Sequence, residues 1–343
     1  MSAHKARGAT IGLGRHGLRH LQAYRSLEEV EIIAVCDQRP DAVRAAQSQV
    51  PGARGYSDWR ELLGKEKLDV VSVVTNGPSH AAIVLAAVQA GVGRIFCEKP
   101  MATSMADADD MLQACQNRGV RLAVSHGRRW DPNYRKLREL LCAGVIGKLC
   151  HLWFTCGGGL FAGNGSHILD LARMLSGAEP QYALGWLDTT GTPNPRGKEF
   201  FDPGTVAIYM LSNGMRCVVD MFEDLGVPPR IEIAGGIGRI LVDEVSNRWE
   251  LWTRKNEDRQ EPVQAYWLPL SPQPFASRPL DMVQMLETGL RELLGEGQIS
   301  CTGEDGEAAL EMLIGAHVSS RNGSVPVRLP LAVGDRNTNI PFT

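Results

Sequence analysis

No run of about 18 consecutive apolar residues occurs in the 343-residue chain, so no membrane-spanning helix is expected. Met1–Arg7 carries basic residues, but no apolar segment of a secretory leader follows it. Charge bias is also absent. The 36 Lys and Arg against 39 Asp and Glu leave a net charge of −3, and so no strong field to gather nucleic acid or an anionic membrane. The eight cysteines are scattered, mostly in apolar surroundings, with no C-x-x-C pair. A disulfide framework is therefore not expected, and a reducing, cytoplasmic compartment is. There is no internal repeat and no low-complexity segment.

What is present is an ordinary globular composition, 43% hydrophobic and 22% charged. Single cores stop growing near roughly 250–300 residues, so a chain of this length is expected to form two domains.

The first third alternates short apolar runs with helical stretches. Residues 9–13, 30–36, 69–75, 95–97 and 121–125 read as strands, and 17–27, 42–49, 79–90 and 106–118 as helices. The run Asp69–Thr75 (DVVSVVT) has the continuous apolar character of a strand buried on both faces. Regular alternation predicts a parallel sheet covered by helices. Beyond about residue 128 the pattern changes. Residues 149–156, 205–211, 215–222, 230–233 and 239–242 read as strands, several separated by turn residues alone, which predicts antiparallel hairpins. Helices return at 281–294 and 304–320. The fold class expected is α/β: an N-terminal doubly wound parallel sheet over 1–127, then an α/β domain over 128–343.

Gly12-Leu13-Gly14-Arg15-His16-Gly17 fits G-x-G-x-x-G. The pattern is weak alone in a chain with 37 glycines. Here, however, it follows a strand, opens a helix and precedes an acidic strand end, Asp37, by about 20 residues. Glycines there permit a tight turn and close backbone approach, and the helix N-terminus suits a pyrophosphate. Asp37 suits ribose hydroxyls and favours NAD; Arg39, two residues on, keeps NADP open.

The ordered set of this loop, Asp37, Thr75-Asn76-Gly77-Pro78-Ser79-His80 and Glu98-Lys99-Pro100 resembles the Gfo/Idh/MocA oxidoreductase family, with Asn76 replacing a usual proline. Gly127–Pro132, Ala143–Lys148, Glu304–Leu310 and Val325–Pro330 extend the likeness over residues 8 to about 331. The resemblance implies a Rossmann domain, a second domain with a large, open, mainly antiparallel sheet, and association into a homo-oligomer (dimer or tetramer) through that sheet. It implies cofactor contacts at Gly12, Gly14, Arg15, His16, Gly17, Asp37, Thr75, Asn76, His80, Glu98 and Lys99. Lys99 falls on the catalytic lysine, whose ammonium stabilises a developing alkoxide and passes a proton. Pro100 restricts its backbone.

Gly163–Asp170 (GNGSHILD) resembles the family's D-x-G-x-H-x-x-D segment, which puts His167 on the catalytic histidine and Asp170 behind it as an orienting or structural group. Arg128 and Asn164 align near substrate, although the Arg128-Arg129 pair reads equally as surface charge or a structural salt bridge. Trp153, Phe161, Phe201 and Phe222 suit core packing as readily as sugar stacking. His126 and His151 lack metal-ligand spacing, and no metal is expected.

One departure stands out: the family's aspartate four residues before the histidine is Gly163 here. Lys99 and His167 suffice, or an acid comes from elsewhere, or the chemistry is altered. The function expected is NAD(P)-dependent hydride transfer at a carbinol or carbonyl carbon of a sugar, cyclitol or similar polyhydroxylated molecule. The alternatives are glycoside cleavage by transient oxidation and a catalytically weak dinucleotide sensor or partner protein.

Overall fold

The computed structural model describes residues 5–188, 194, 196–262 and 268–342. These form two compact units. One draws on Met1–Trp130, Asp281–Leu310 and Arg336–Thr343, the other on Asp131–Leu280 and Glu311–Asp335.

In the first unit, strands β1 (Ala6–Ile11), β2 (Val30–Cys36), β3 (Arg54–Tyr56), β4 (Val70–Val73), β5 (Arg94–Cys97) and β6 (Arg121–Val124) alternate with helices α1 (Arg15–Arg25), α2 (Pro40–Gln49), α3 (Trp59–Lys65), α4 (Gly77–Gln89) and α5 (Met105–Arg118). The sheet order is β3-β2-β1-β4-β5-β6, and every pair is parallel. The order reverses direction between β1 and β4, and a crevice at such a switch point is where doubly wound folds bind ligands. Strand β4 is buried along its whole length, as its Val-rich run predicts. Ser104 caps α5 by accepting from Asp107 N–H (3.1 Å), and Gly119 ends that helix in the left-handed region (φ 63°).

The second unit holds α6 (Pro132–Cys142), α7 (Ser166–Ser176) and strands β7 (Leu149–Thr155), β8 (Pro180–Leu187), β9 (Thr205–Leu211), β10 (Arg216–Asp220), β11 (Arg230–Gly235), β12 (Gly238–Asp243), β13 (Arg248–Thr253), β14 (Ser271–Gln273) and β15 (Val327–Arg328). They form one nine-stranded sheet, β14-β13-β12-β11-β7-β10-β9-β8-β15. All its pairs are antiparallel except β7 with β10. The expected fold class matches this architecture. Strands β3, β8, β13 and β14 are additions: β3 and β14 span only three residues each, and β8 and β13 mix polar or glycine residues with their apolar ones.

The single boundary expected at 127/128 differs from the observed division. Helix α8 (Met282–Leu294) packs on α1 and β5, and a Cβ at Gly289 would lie 2.9–3.0 Å from the rings of Trp130 and Phe96. Helical periodicity reveals that α8 has an apolar face, but not which sheet that face covers.

Candidate functional site

In the first unit the loop between β1 and α1 is fixed by contacts that leave no room for side chains. Gly12 has φ +93°, and a Cβ there would lie 2.4 Å from the Val74 carbonyl oxygen. A Cβ at Gly17 would lie 1.9 Å from the Gly12 carbonyl oxygen. Gly12 N–H donates to Cys36 O (2.8 Å), and Leu13 N–H donates to Asp37 Oδ2 (2.8 Å). The loop is thus tied to the end of β2. A Cβ at Gly14, in contrast, would meet nothing within 4 Å. Gly14 opens onto a cavity of about 390 Å³ whose walls include Gly12, Asp37, Arg39, Thr75, Asn76 and Ser79.

Asp37 Oδ1 accepts from Arg39 N–H (2.9 Å) and Nε–H (3.2 Å). Burial pushes the Asp37 carboxyl up, but the Arg39 and Leu13 hydrogen bonds outweigh it and hold the group below the usual carboxylate range. It therefore stays anionic at neutral pH. Across the cavity, Ser79 Oγ–H lies on Thr75 Oγ1 (2.7 Å) at the start of α4. No side chain caps the first turn of α1 or of α4. The N-terminus of α1 retains donors for an anionic group, whereas in α4 Pro78 has no N–H and the Ser79 N–H is used on Asn76 O (3.0 Å).

The Lys99 segment follows β5. Glu98 N–H donates to Val73 O (2.9 Å), and the Lys99–Pro100 peptide is cis. Lys99 is half-buried. The Glu98 carboxylate is buried and accepts from Lys99 N–H (3.3 Å) and from His20 Nε2 (3.2 Å). His20 Nδ1 in turn meets Ser72 Oγ (3.1 Å), which meets the Tyr24 hydroxyl (3.0 Å). Burial raises the Glu98 carboxyl, but the His20 hydrogen bond and the nearby charges of His20 and Lys99 hold it well below its ordinary value. His16, one turn before His20 on α1, is lowered by burial, partly offset by Glu98. His20, Ser72 and Tyr24 are absent from the sequence reading. The i, i+4 pair His16/His20 on one helix face is the signal that points to them.

His80 does not fit its expected place as a cofactor contact. Its ring is buried, with Nδ1 at 2.9 Å from Pro100 O and Nε2 at 3.0 Å from Thr75 O. A neutral imidazole donates to one of them. The side chain holds the Thr75 loop and the Lys99–Pro100 turn together instead of facing the cavity. Arg129 is structural as well, bonding Ser300 O (2.8 Å) and Asp305 Oδ1 (2.9 Å). Arg128 lies in the same 3-10 turn, Gly127–Arg129. Arg15 is exposed at the start of α1.

In the second unit, a π-helical turn, Phe161–Gly165, leads directly into α7. It begins after Leu160, whose φ of 59° is left-handed. Asn164 is exposed, His167 half-buried, and Asp170 fully buried. Asp202 is the residue sequence reasoning missed. Its buried carboxylate accepts from Ala162 N–H (2.5 Å) and Gly163 N–H (2.9 Å). Of the four aromatics, Trp153 lies on the exposed sheet face, Phe161 is buried, and Phe201 packs edge-on against His317 (5.8 Å between centroids). Among the described residues no cluster of three or more His, Cys, Asp or Glu is placed to hold a metal, and no helix is long and apolar enough to cross a membrane.

Comparison with known proteins agrees with this geometry. Residues 6–126 match an oxidoreductase family with an NAD-binding Rossmann fold. The chain is 29% identical to a D-apiose dehydrogenase of Paraburkholderia graminis, covering 92% of this chain and 88% of that protein. It is 27% identical to a myo-inositol 2-dehydrogenase of Thermotoga maritima, covering 88% and 92%. Among solved structures, the WlbA dehydrogenase from Bordetella pertussis, in complex with NADH and UDP-GlcNAcA, has the same fold. Its TM-score is 0.77 at 22% identity, over 96% of this chain and all (100%) of that one.

Proposed function

Through residues 6–126 the chain belongs to the Gfo/Idh/MocA oxidoreductases, and from that premise we propose that it is an NAD-dependent dehydrogenase of a sugar, cyclitol or similar polyhydroxylated small molecule. The observation that carries this is the cavity joining the open Gly14 backbone to the anionic Asp37 carboxylate. Its residues fit a dinucleotide. Gly14 leaves space for a pyrophosphate, the uncapped N-terminus of α1 supplies N–H donors, and Asp37 accepts from ribose hydroxyls. Asp37 opposes a 2′-phosphate, and Arg39 is already engaged by it, so NAD is preferred over NADP.

The nicotinamide, when bound, supplies the hydride acceptor or donor. The chain's own residues handle the proton and the charge. The Lys99 ammonium stabilises negative charge developing on a substrate oxygen. Its backbone direction is set by Glu98 and Pro100, and Glu98 is held by His20. His167 takes or returns the hydroxyl proton. Arg128 and Asn164 serve substrate binding. The relatives named for D-apiose and myo-inositol support a polyol as the substrate class.

A second copy of the chain is the proposed partner, in a dimer or tetramer. The outer face of the nine-stranded sheet exposes Trp153, Tyr182, Trp186 and Met210, a contiguous apolar surface of the kind that marks interfaces. The scattered cysteines, with no C-x-x-C pair among them, support a reducing, cytoplasmic setting.

Calorimetric titration with NADH and NADPH tests the cofactor assignment, and NADH formation from NAD+ with a panel of aldoses and cyclitols tests the reaction. Preference for NADPH, or cleavage of a glycoside without net NADH formation, would overturn the reading.

A further inference from the structure

The absent side chain at Gly163 and the buried carboxylate of Asp202 are one feature. The backbone of Gly163 lies outside the left-handed region, so nothing in its conformation forbids a side chain. The nearest atom to a Cβ built there is Asp202 Oδ2, at 3.3 Å, followed by Leu160 Cβ at 3.6 Å. The room that a residue at 163 would use is therefore taken by a carboxylate arriving from the loop before β9, 39 residues further along the chain. Gly165, two residues on, is different: a Cβ there would strike the Phe161 ring at 2.7 Å, so its lack of a side chain is a packing requirement.

Asp202 is fixed from three directions. It accepts the N–H groups of Ala162 and Gly163, donors that an entering helix leaves unsatisfied. Pro203 behind it favours an extended backbone at Asp202. Phe201 before it packs on the His317 ring. Position 163 precedes His167 by four residues, about one helical turn, so side chains serving the two positions lie on one face.

We propose that Asp202 is the positioning residue for His167, supplying from another loop the carboxylate that the chain lacks at position 163. This rests on the dehydrogenase reading for its catalytic consequence, but not for its geometry. In the reaction the substrate hydroxyl proton passes to a ring nitrogen of His167, and the positive charge formed there faces the Asp202 carboxylate. The other charged groups on the elements around α7 are Asp170 and Arg173 on the helix itself, half-buried Arg135 and exposed Lys136, Arg138 and Glu139 on α6, Glu223 beside Gly159, and, on the helix Gly303–Arg321, His317 and a buried Glu311 that accepts from Leu331 N–H. His151 on β7 and Arg216 and Asp220 on β10 point to the opposite face of the sheet.

The test is an NMR titration of the His167 ring, assigned by its loss in H167N, together with the pH profile of kcat and KM. Asp202→Asn keeps the shape and removes the charge. The expected result is a fall of about one unit in the His167 pKa, with kcat reduced and NADH affinity unchanged. Gly163→Asp alone puts two carboxylates in one place and lowers activity. The swap Gly163→Asp/Asp202→Ala returns the charge to the same face and restores the wild-type titration. A His167 titration unmoved in D202N, or a folded swap that titrates like D202N, overturns the proposal. If the protein oxidises no polyol, the dehydrogenase reading fails, while the titration still decides the pairing of Asp202 with His167.

Discussion

The two units present their functional residues in opposite ways. In the first, most groups that line the cavity come from short segments at the carboxyl ends of parallel strands: the loop after β1, Asp37 after β2, and Thr75 and Asn76 after β4. Lys99 likewise follows directly on β5. Parallel strands place such segments side by side by construction, so a local motif is already a local site. In the second, the stretch around His167 is completed by Asp202, brought 39 residues along the chain by antiparallel pairing and a loop. A fold that assembles its site from consecutive strand ends loses function when one motif residue is lost. A fold that assembles it from loops has more than one place from which to supply a charge.

The largest expected effect is at Lys99. Lys99→Met should cut turnover by about 10²–10⁴-fold while NADH affinity, read by fluorescence titration, stays within twofold. Unchanged turnover would remove the first unit's share of the chemistry. Next is Gly17→Val, whose side chain must enter the Gly12 carbonyl's space. It should lower stability by about 1–3 kcal/mol in denaturant titration and abolish NADH binding. A normal variant would mean that the close approach of α1 to the loop is not required. Asp37→Ala follows. The hydrogen bonds lost to a charged acceptor correspond to NADH binding weakened about 10–100-fold, with much less discrimination against NADPH.

The smallest effect concerns the late segments that return to the first unit. Arg336 joins Asp109 and Glu307 there. Burial and the neighbouring Asp109 carboxylate push Glu307 up to about 7 from its ordinary 4.5. Between these values the folded state holds more protons than the unfolded state, so this group's contribution falls as pH rises through that window. Glu307→Gln keeps the acceptor for Arg336 and removes the titration. It should flatten the pH dependence of the thermal midpoint and raise it by roughly 2 °C near pH 8. An unaltered slope would place the pH dependence elsewhere.

Much of the first unit is legible in the sequence because its rules are local. Strand Val30–Cys36 is bounded by its own composition, and the glycine loop needs only its neighbours to be interpreted. What escapes sequence reading is whatever depends on a partner distant in the chain. His80 stands in a recognisable motif, yet its ring is spent on two carbonyls. Helix α8 shows an apolar face without revealing that α1 covers it. Asp202 is an ordinary aspartate before a proline until Gly163 is set beside it.

The central claim is that this chain moves hydride from a polyol to NAD with protons handled by Lys99 and His167. The most direct measurement is NADH formation from NAD+ across sugars and cyclitols, run side by side with the wild type, Lys99→Met and His167→Asn. The expected result is turnover of at least one polyol by the wild type, lost by orders of magnitude in both variants with NADH binding intact. Tight NADH binding by the wild type with no turnover on any member of the panel would contradict it.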